Sequence, residues 1–226
     1  MEAGSSVPVK QGMETRGYFE TRFAFDERRE RLWITLCRHY FDRLIREDFT
    51  VLELGAGYGH FINNVHCRRR VAIDAWDGMR GFLHEGVESS IGDATGLDFL
   101  EDASIDFAFA SNVFEHMPQA SFARVLAVLK RKLRHNGTLN LLQPNYRFCY
   151  DEYFDDFTHV SVYSDRSICD FLTAHGFEIV QCEARFLPLT VKSRLPTRPW
   201  LIRLYLASPV KLWGKQMFVR ARPRAG

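Results

Sequence analysis

Between Asp26 and Ile45 the apolar residues Leu32, Trp33, Leu36, Tyr40, Phe41, Leu44 and Ile45 recur at helical spacing, which predicts an amphipathic helix. The period then changes. Val51, Leu52 and Leu54 form a nearly continuous apolar run, broken only by Glu53, as expected of a buried strand. Three alternating glycines follow, and Phe61, Ile62 and Val65 restart a helical pattern. Val71 to Asp74 reads as a second short strand, and Ile105 to Ala110 as another whose end releases SNVFEHMP. Phe122, Val125, Leu126, Leu129 and Leu133 share one face of a helix from about Gln119 to His135, with Gly137 as its stop and Thr138 to Leu142 as the next strand. Farther on, the chain predicts a helix from Asp165 to His175 stopped by Gly176, a long strand FEIVQCEARFLPL and a last strand from Lys215 to Arg220. Residues 1–17 read as a loose arm. This succession implies an α/β fold with a parallel, doubly wound sheet and a ligand over the strand C-termini.

The glycine turn narrows the ligand. A dinucleotide fingerprint starting at Gly55 needs glycine where His60 stands. G-x-G-x-G, with Glu53 two residues ahead of Gly55, is instead the spacing of S-adenosylmethionine enzymes. The charge agrees: the methionine part of that cofactor is zwitterionic and accepts a nearby carboxylate, whereas a pyrophosphate seeks the positive end of a helix. Asp74 closes an apolar strand about twenty residues beyond the first glycine, where a carboxylate can accept both hydroxyl protons of a ribose.

Composition adds bounds. The 226 residues are 46% hydrophobic, enough for one full core. We read one domain over 1–226: an arm and helix at 1–48, a cofactor core at 49–145, and substrate-side elements with the closing strands at 146–226. Five cysteines without a C-x-x-C pair suggest neither a disulfide framework nor a zinc site. The absence of a signal-peptide core or bilayer-length apolar run leads us to expect a cytoplasmic protein. The net charge of +2 is uneven: residues 184–226 hold ten basic residues and no acid. Within them, at about 192–214, lies a basic aromatic insertion whose middle fits a short helix with Trp200, Leu201, Leu204 and Tyr205. Beside Arg198, Arg203 and Lys211, the aromatics Trp200, Tyr205 and Trp213 suit an anionic substrate or peripheral contact at the inner membrane surface.

VLELGAGYG, VAIDAW, GDATGLDF, FAFASNVFEHMP and LKRKLRHNGTLNLLQPN, in this order, resemble the motif series of class I S-adenosylmethionine-dependent methyltransferases. The likeness covers about residues 50–145. The flanks YFETRFAFDERR and FDDFTHVSVYSDRS, with RFLPLTVKSRLP, are similar to small bacterial methyltransferases of polysaccharide and natural-product biosynthesis. The resemblance implies a Rossmann-like seven-stranded sheet, mostly parallel, closed by a C-terminal antiparallel pair. It assigns Glu53, Gly55, Ala56, Gly57 and Gly59 to the methionine end of the cofactor, and Asp74 with Ala75 to the ribose. Asp93 and Ala94 take the adenine edge, and Asn112 and Val113 face the cofactor from the fourth strand. Trp76 packs either on adenine or in the core, and Asp93 is either an adenine ligand or a turn aspartate.

Methyl transfer is an in-line displacement at a sulfonium, and a hydroxyl acceptor benefits from a base. His116 and His159, in loops after the fourth and fifth strands, are the candidate bases, and O-methylation of a small molecule, sugar or lipid-linked glycan is the expected reaction. N- or C-methylation, a nicotinamide-dependent oxidoreductase and a non-catalytic binding protein are the alternatives. Asp151, Glu152, Asp155 and Asp156 interleave with Tyr150, Tyr153, Phe154 and Phe157, so we expect a pocket wall or lid there and no metal. Tyr18, Phe19 and Arg22 are candidates for an N-terminal lid. Nucleic acid is not expected as a partner, because SNVFEH is not the signature that holds a flipped base.

Overall fold

The computed structural model describes residues 25–188, 198–208 and 210–224. The N-terminal arm and the lid candidates Tyr18, Phe19 and Arg22 lie outside the described residues, as does the start of the insertion at 192–197.

Seven strands form one sheet in the order β3-β2-β1-β4-β5-β7-β6. They are β1 (Thr50–Leu54), β2 (Arg69–Asp74), β3 (Val87–Ile91), β4 (Ile105–Ser111), β5 (Leu133–Pro144), β6 (Phe177–Leu187) and β7 (Gln216–Pro223). Strands β1 to β5 pair in parallel, and β7 runs antiparallel to both β5 and β6, so the expected Rossmann-like sheet with its C-terminal antiparallel pair is present. Alternation along each strand sends side chains to two cores. Leu52, Leu54, Val71, Ile73, Ala108, Ala110, Leu139 and Leu141 face α2 (Gln119–Lys132) and α4 (Asp165–Ala174). Val51, Ala72, Phe107, Phe109, Leu142 and Phe218 face α1 (Glu27–His39) and α5 (Pro199–Ala207). A third helix, α3 (Tyr146–Cys149), is a single turn after β5.

Local chemistry sets the ends of the helices. Asp26 caps α1 by accepting the Arg28 N–H, acids occupy its first turn and Arg38 and His39 its last. This helix is shorter than the apolar spacing predicts: it ends at His39, and Phe41–Arg43 turns more tightly, which still buries Phe41 and Ile45. Ser164 and Ser167 form a capping box on α4, and Gly176 follows its end as expected.

Two other expectations fail, and one strand has no signature in the sequence. The chain after the glycine turn makes only one 3₁₀ turn, Ile62–Asn64, and no α-helix. The Asn63 side chain bonds Phe82 O and His84 N, and the Asn64 side chain bonds His60 O, so these residues favour local bonds over helix propagation. Gly137 does not stop α2; it lies within β5 at an irregularity of the β4–β5 register, where an added Cβ would meet Ile105 O at 2.6 Å. The strand β3 (VESSI) escapes the apolar pattern because it is an edge strand whose Glu88 pairs with Arg69 across the surface.

Candidate active site

The C-terminal ends of β1, β2 and β4 converge on the glycine turn. Gly55, Gly57 and Gly59 have φ of +67°, +52° and +68°. The Gly55 N–H donates to Ile73 O across 2.8 Å, which bends the chain over the end of β2. An added Cβ on Gly55 would stand 2.6 Å from Val113 Cγ2, so only a bare backbone fits beneath Val113.

Asp74 completes the turn. Its Oδ2 accepts the Gly57 N–H and its Oδ1 the Trp76 N–H, both at 2.8 Å. Burial raises its pKa, and these N–H donors oppose that rise by favouring the carboxylate. Glu53 lies fully inside. Its Oε2 accepts the Ile62 N–H at 3.0 Å, and burial, with the Asp74 charge nearby, pushes its carboxyl well above the usual range. The buried acid of β1 thus satisfies the first N–H of the 3₁₀ turn.

Trp76 stands beside Asp74 in an aromatic group with Tyr58 and Phe82, at centroid distances of 5.2 and 5.7 Å. Its ring covers Gly78. Tyr58 and Phe82 went unnoticed in the sequence; an aromatic between two of the turn glycines is the signal that marks Tyr58. Asp93 takes the Thr95 N–H at 2.7 Å and the Thr95 hydroxyl on Oδ1, and these bonds lower its pKa. That is the local geometry of a turn aspartate. Ala94 is buried in the core facing α2 and α4. Ala75 is exposed between Asp74 and Trp76, and Ala56 is buried under the turn. Asn112 has φ +53°, and its Oδ1 accepts from Gln216 Nε2 at 2.8 Å, joining the end of β4 to β7.

A second group gathers at the neighbouring strand ends. Phe114–His116 forms a 3₁₀ turn after β4, and the loop after α3 returns to it: Val160 N and Ser161 N both donate to Glu115 O, and Ser161 Oγ donates to Met117 O. This brings the His116 and His159 rings to 4.9 Å. His116 Nδ1 lies 2.9 Å from Thr158 Oγ1, and Thr158 Oγ1 lies 2.5 Å from Asp156 Oδ1. His159 Nδ1 is held 2.5 Å from Tyr153 O. Burial, with His159 alongside, lowers the His116 pKa to about 4. Burial raises Glu115, the residue between Phe114 and His116, to about 8.

The acidic, aromatic stretch divides. Tyr153 is buried and its hydroxyl donates to Ser161 O, while Tyr150, Phe154 and Phe157 are exposed. Its acids do not gather: Glu152 pairs with Lys215, and Asp156 with Thr158. Glu115 is the member of this site that the sequence reading passed over, although an acid sealed between Phe114 and a histidine is itself a signal.

The family model of the methyltransferase domain matches residues 25–182. No curated protein sequence matches the chain. Among solved structures, an S-adenosylmethionine-dependent methyltransferase from Archaeoglobus fulgidus is similar at 19% identity and TM-score 0.66, covering 93% of this chain and 99% of its own. The Haloferax volcanii protein solved in complex with the Trm112 methyltransferase activator is similar at 15% identity and TM-score 0.67, covering 96% and 98%. The 1,6-didemethyltoxoflavin-N1-methyltransferase of Burkholderia thailandensis, solved with S-adenosylhomocysteine, is similar at 17% identity and TM-score 0.61, covering 100% and 94%.

Proposed function

Because the chain belongs to the methyltransferase-domain family, it is an S-adenosylmethionine-dependent enzyme, and we propose that its acceptor is a hydroxyl of a small molecule, sugar or lipid-linked glycan. Asp74 then holds the ribose, its carboxylate oriented by Gly57 and Trp76. The glycine turn would receive the methionine end.

The observation that carries the hydroxyl reading is the joining of Glu115, His116 and His159 in the loops next to Val113. An alcohol attacking the methyl carbon forms a C–O bond while the C–S pair departs to sulfur, giving S-adenosylhomocysteine. The alcohol must also lose a proton, and this cluster is where titratable groups stand to manage it. An amine or carbon acceptor makes less use of them.

Labelled cofactor with a panel of hydroxyl acceptors tests the proposal. S-adenosylhomocysteine should form with an O-methyl product, and His159→Ala or His116→Ala should lower turnover by about a hundred- to ten-thousandfold with cofactor affinity little changed. A methyl group on nitrogen or carbon, or unchanged turnover in both variants, overturns the hydroxyl reading.

A second surface supports a contact with anionic headgroups. Trp200, Leu204, Leu212 and Trp213 are exposed, and α5 forms with the end of α1 a groove of about 490 Å³ lined by His39, Arg43, Trp200 and Arg203. No helix among the described residues is long and apolar enough to cross a membrane. We therefore assign this face a peripheral role, suited to an acceptor carried on a lipid.

A further inference from the structure

Glu115, His116 and His159 each offer one ligand atom, and these atoms lie within 4.8 Å of one another. Glu115 is 1% exposed, and both of its carboxylate oxygens are buried without a hydrogen-bond partner among the described residues. An acid taken out of water in this way is neutralised by a proton or by a cation, and the two imidazoles beside it supply the further ligands that a cation needs. Oε1 of this acid faces His116 Nε2 at 4.0 Å.

The two imidazoles are oriented from behind. Tyr153 O can only accept, so His159 Nδ1 carries the proton in that bond and Nε2 the lone pair. The Thr158 hydroxyl directs its proton to Asp156 Oδ1, so its oxygen accepts from His116 Nδ1, and His116 Nε2 likewise holds a lone pair. A backbone carbonyl behind one ring and a carboxylate-backed hydroxyl behind the other are the partners that orient metal-binding histidines.

We propose that Glu115, His116 and His159 bind a divalent transition-metal ion through one carboxylate oxygen and two Nε2 atoms. Two imidazoles and a carboxylate suit zinc, manganese or ferrous iron, whereas magnesium and calcium prefer all-oxygen sets. Ligands of one tetrahedral zinc stand roughly 3.3 Å apart, so the ion draws the three groups inward by about an ångström. All three sit on a 3₁₀ turn or a loop rather than on a strand.

The catalytic role rests on the hydroxyl reading above; binding of the ion does not. The acceptor hydroxyl coordinates the ion, which lowers its pKa, and its proton passes to solvent water. The resulting alkoxide forms the C–O bond as the C–S bond breaks, leaving a methyl ether and S-adenosylhomocysteine.

Chelator-treated full chain titrated with Zn²⁺, Mn²⁺ or Co²⁺ tests the site, with the visible absorption of Co²⁺ reporting its ligands. One ion should bind per chain, and Glu115→Gln or His159→Ala should each weaken binding tenfold or more while S-adenosylhomocysteine still binds. Thr158→Val, which touches no ion, should weaken it by about ten- to a hundredfold and decides the matter if the ligand variants do not fold. No stoichiometric ion, or equal affinity in the variants, overturns the site. Ion binding with full O-methyl transfer after chelation overturns its Lewis-acid role. Ion binding with no transfer to any hydroxyl keeps the site and overturns the hydroxyl reading instead.

Discussion

The Gly57 amide donates to Asp74 Oδ2 across 2.8 Å, so the middle glycine of the turn is fastened to the acid that ends the neighbouring strand. In the proposed function the same carboxylate serves two purposes: it fixes the turn and accepts the ribose hydroxyls. Replacing it with Ala removes both. Asp74→Ala should weaken S-adenosylhomocysteine binding by about ten- to a hundredfold, or about 1.5 to 3 kcal/mol, as measured by calorimetry. A folded variant with an unchanged dissociation constant would take Asp74 out of the site.

Gly55 carries a different constraint. Its φ of +67° strains any residue with a side chain, and Val113 Cγ2 stands 2.6 Å from where a Cβ would lie. Gly55→Ala should therefore cost about 2 to 4 kcal/mol in thermal or urea unfolding, from the left-handed backbone and the overpacking together. Adding Val113→Ala should recover the packing part and leave the backbone part. Full recovery in the double variant would show that φ costs nothing here.

His60 supplies a pH dependence. Its ring is buried beside Phe25 and Tyr58, its Nε2 lacks a partner among the described residues, and burial, helped by the Arg29 charge, lowers its pKa to about 4. Above pH 6.5 the ring is neutral folded or unfolded and exacts no penalty. As pH falls from 6.5 toward 4 the unfolded chain takes up the proton and the folded chain resists it, so stability is lost. His60→Gln should lose less stability than the parent chain between pH 7 and 4.5. Melting temperatures across that range give the comparison, and parallel curves would refute it.

The exposed aromatics near α5 predict binding to anionic vesicles. Trp200 and Trp213 are 59% and 63% exposed in a segment without acids. Phosphatidylglycerol vesicles should pellet the protein at low salt, neutral vesicles should not, and Trp200→Ala with Trp213→Ala should reduce the bound fraction several-fold. Equal pelleting with neutral lipid would argue against an electrostatic contact.

By itself, the sequence determined the glycine-turn end of this protein. Glu53, Gly55, Gly57 and Gly59 lie within seven consecutive residues, and Asp74 ends the next strand, so covalent spacing and strand period already bring them to one edge. The amphipathic faces of α1 and α2 were legible for the same reason: burial writes a period into the chain. Only the tertiary structure decided the rest. The turn after Phe61 stays short because Asn63 reaches Phe82 and His84, residues distant in sequence. The edge strand β3 buries too little to leave an apolar signature. Above all, Glu115 and His116 meet His159 because two amides of the later loop donate to the Glu115 carbonyl. No local pattern records that meeting, since a long-range hydrogen bond fixes it and periodicity reports only which face of a segment is buried.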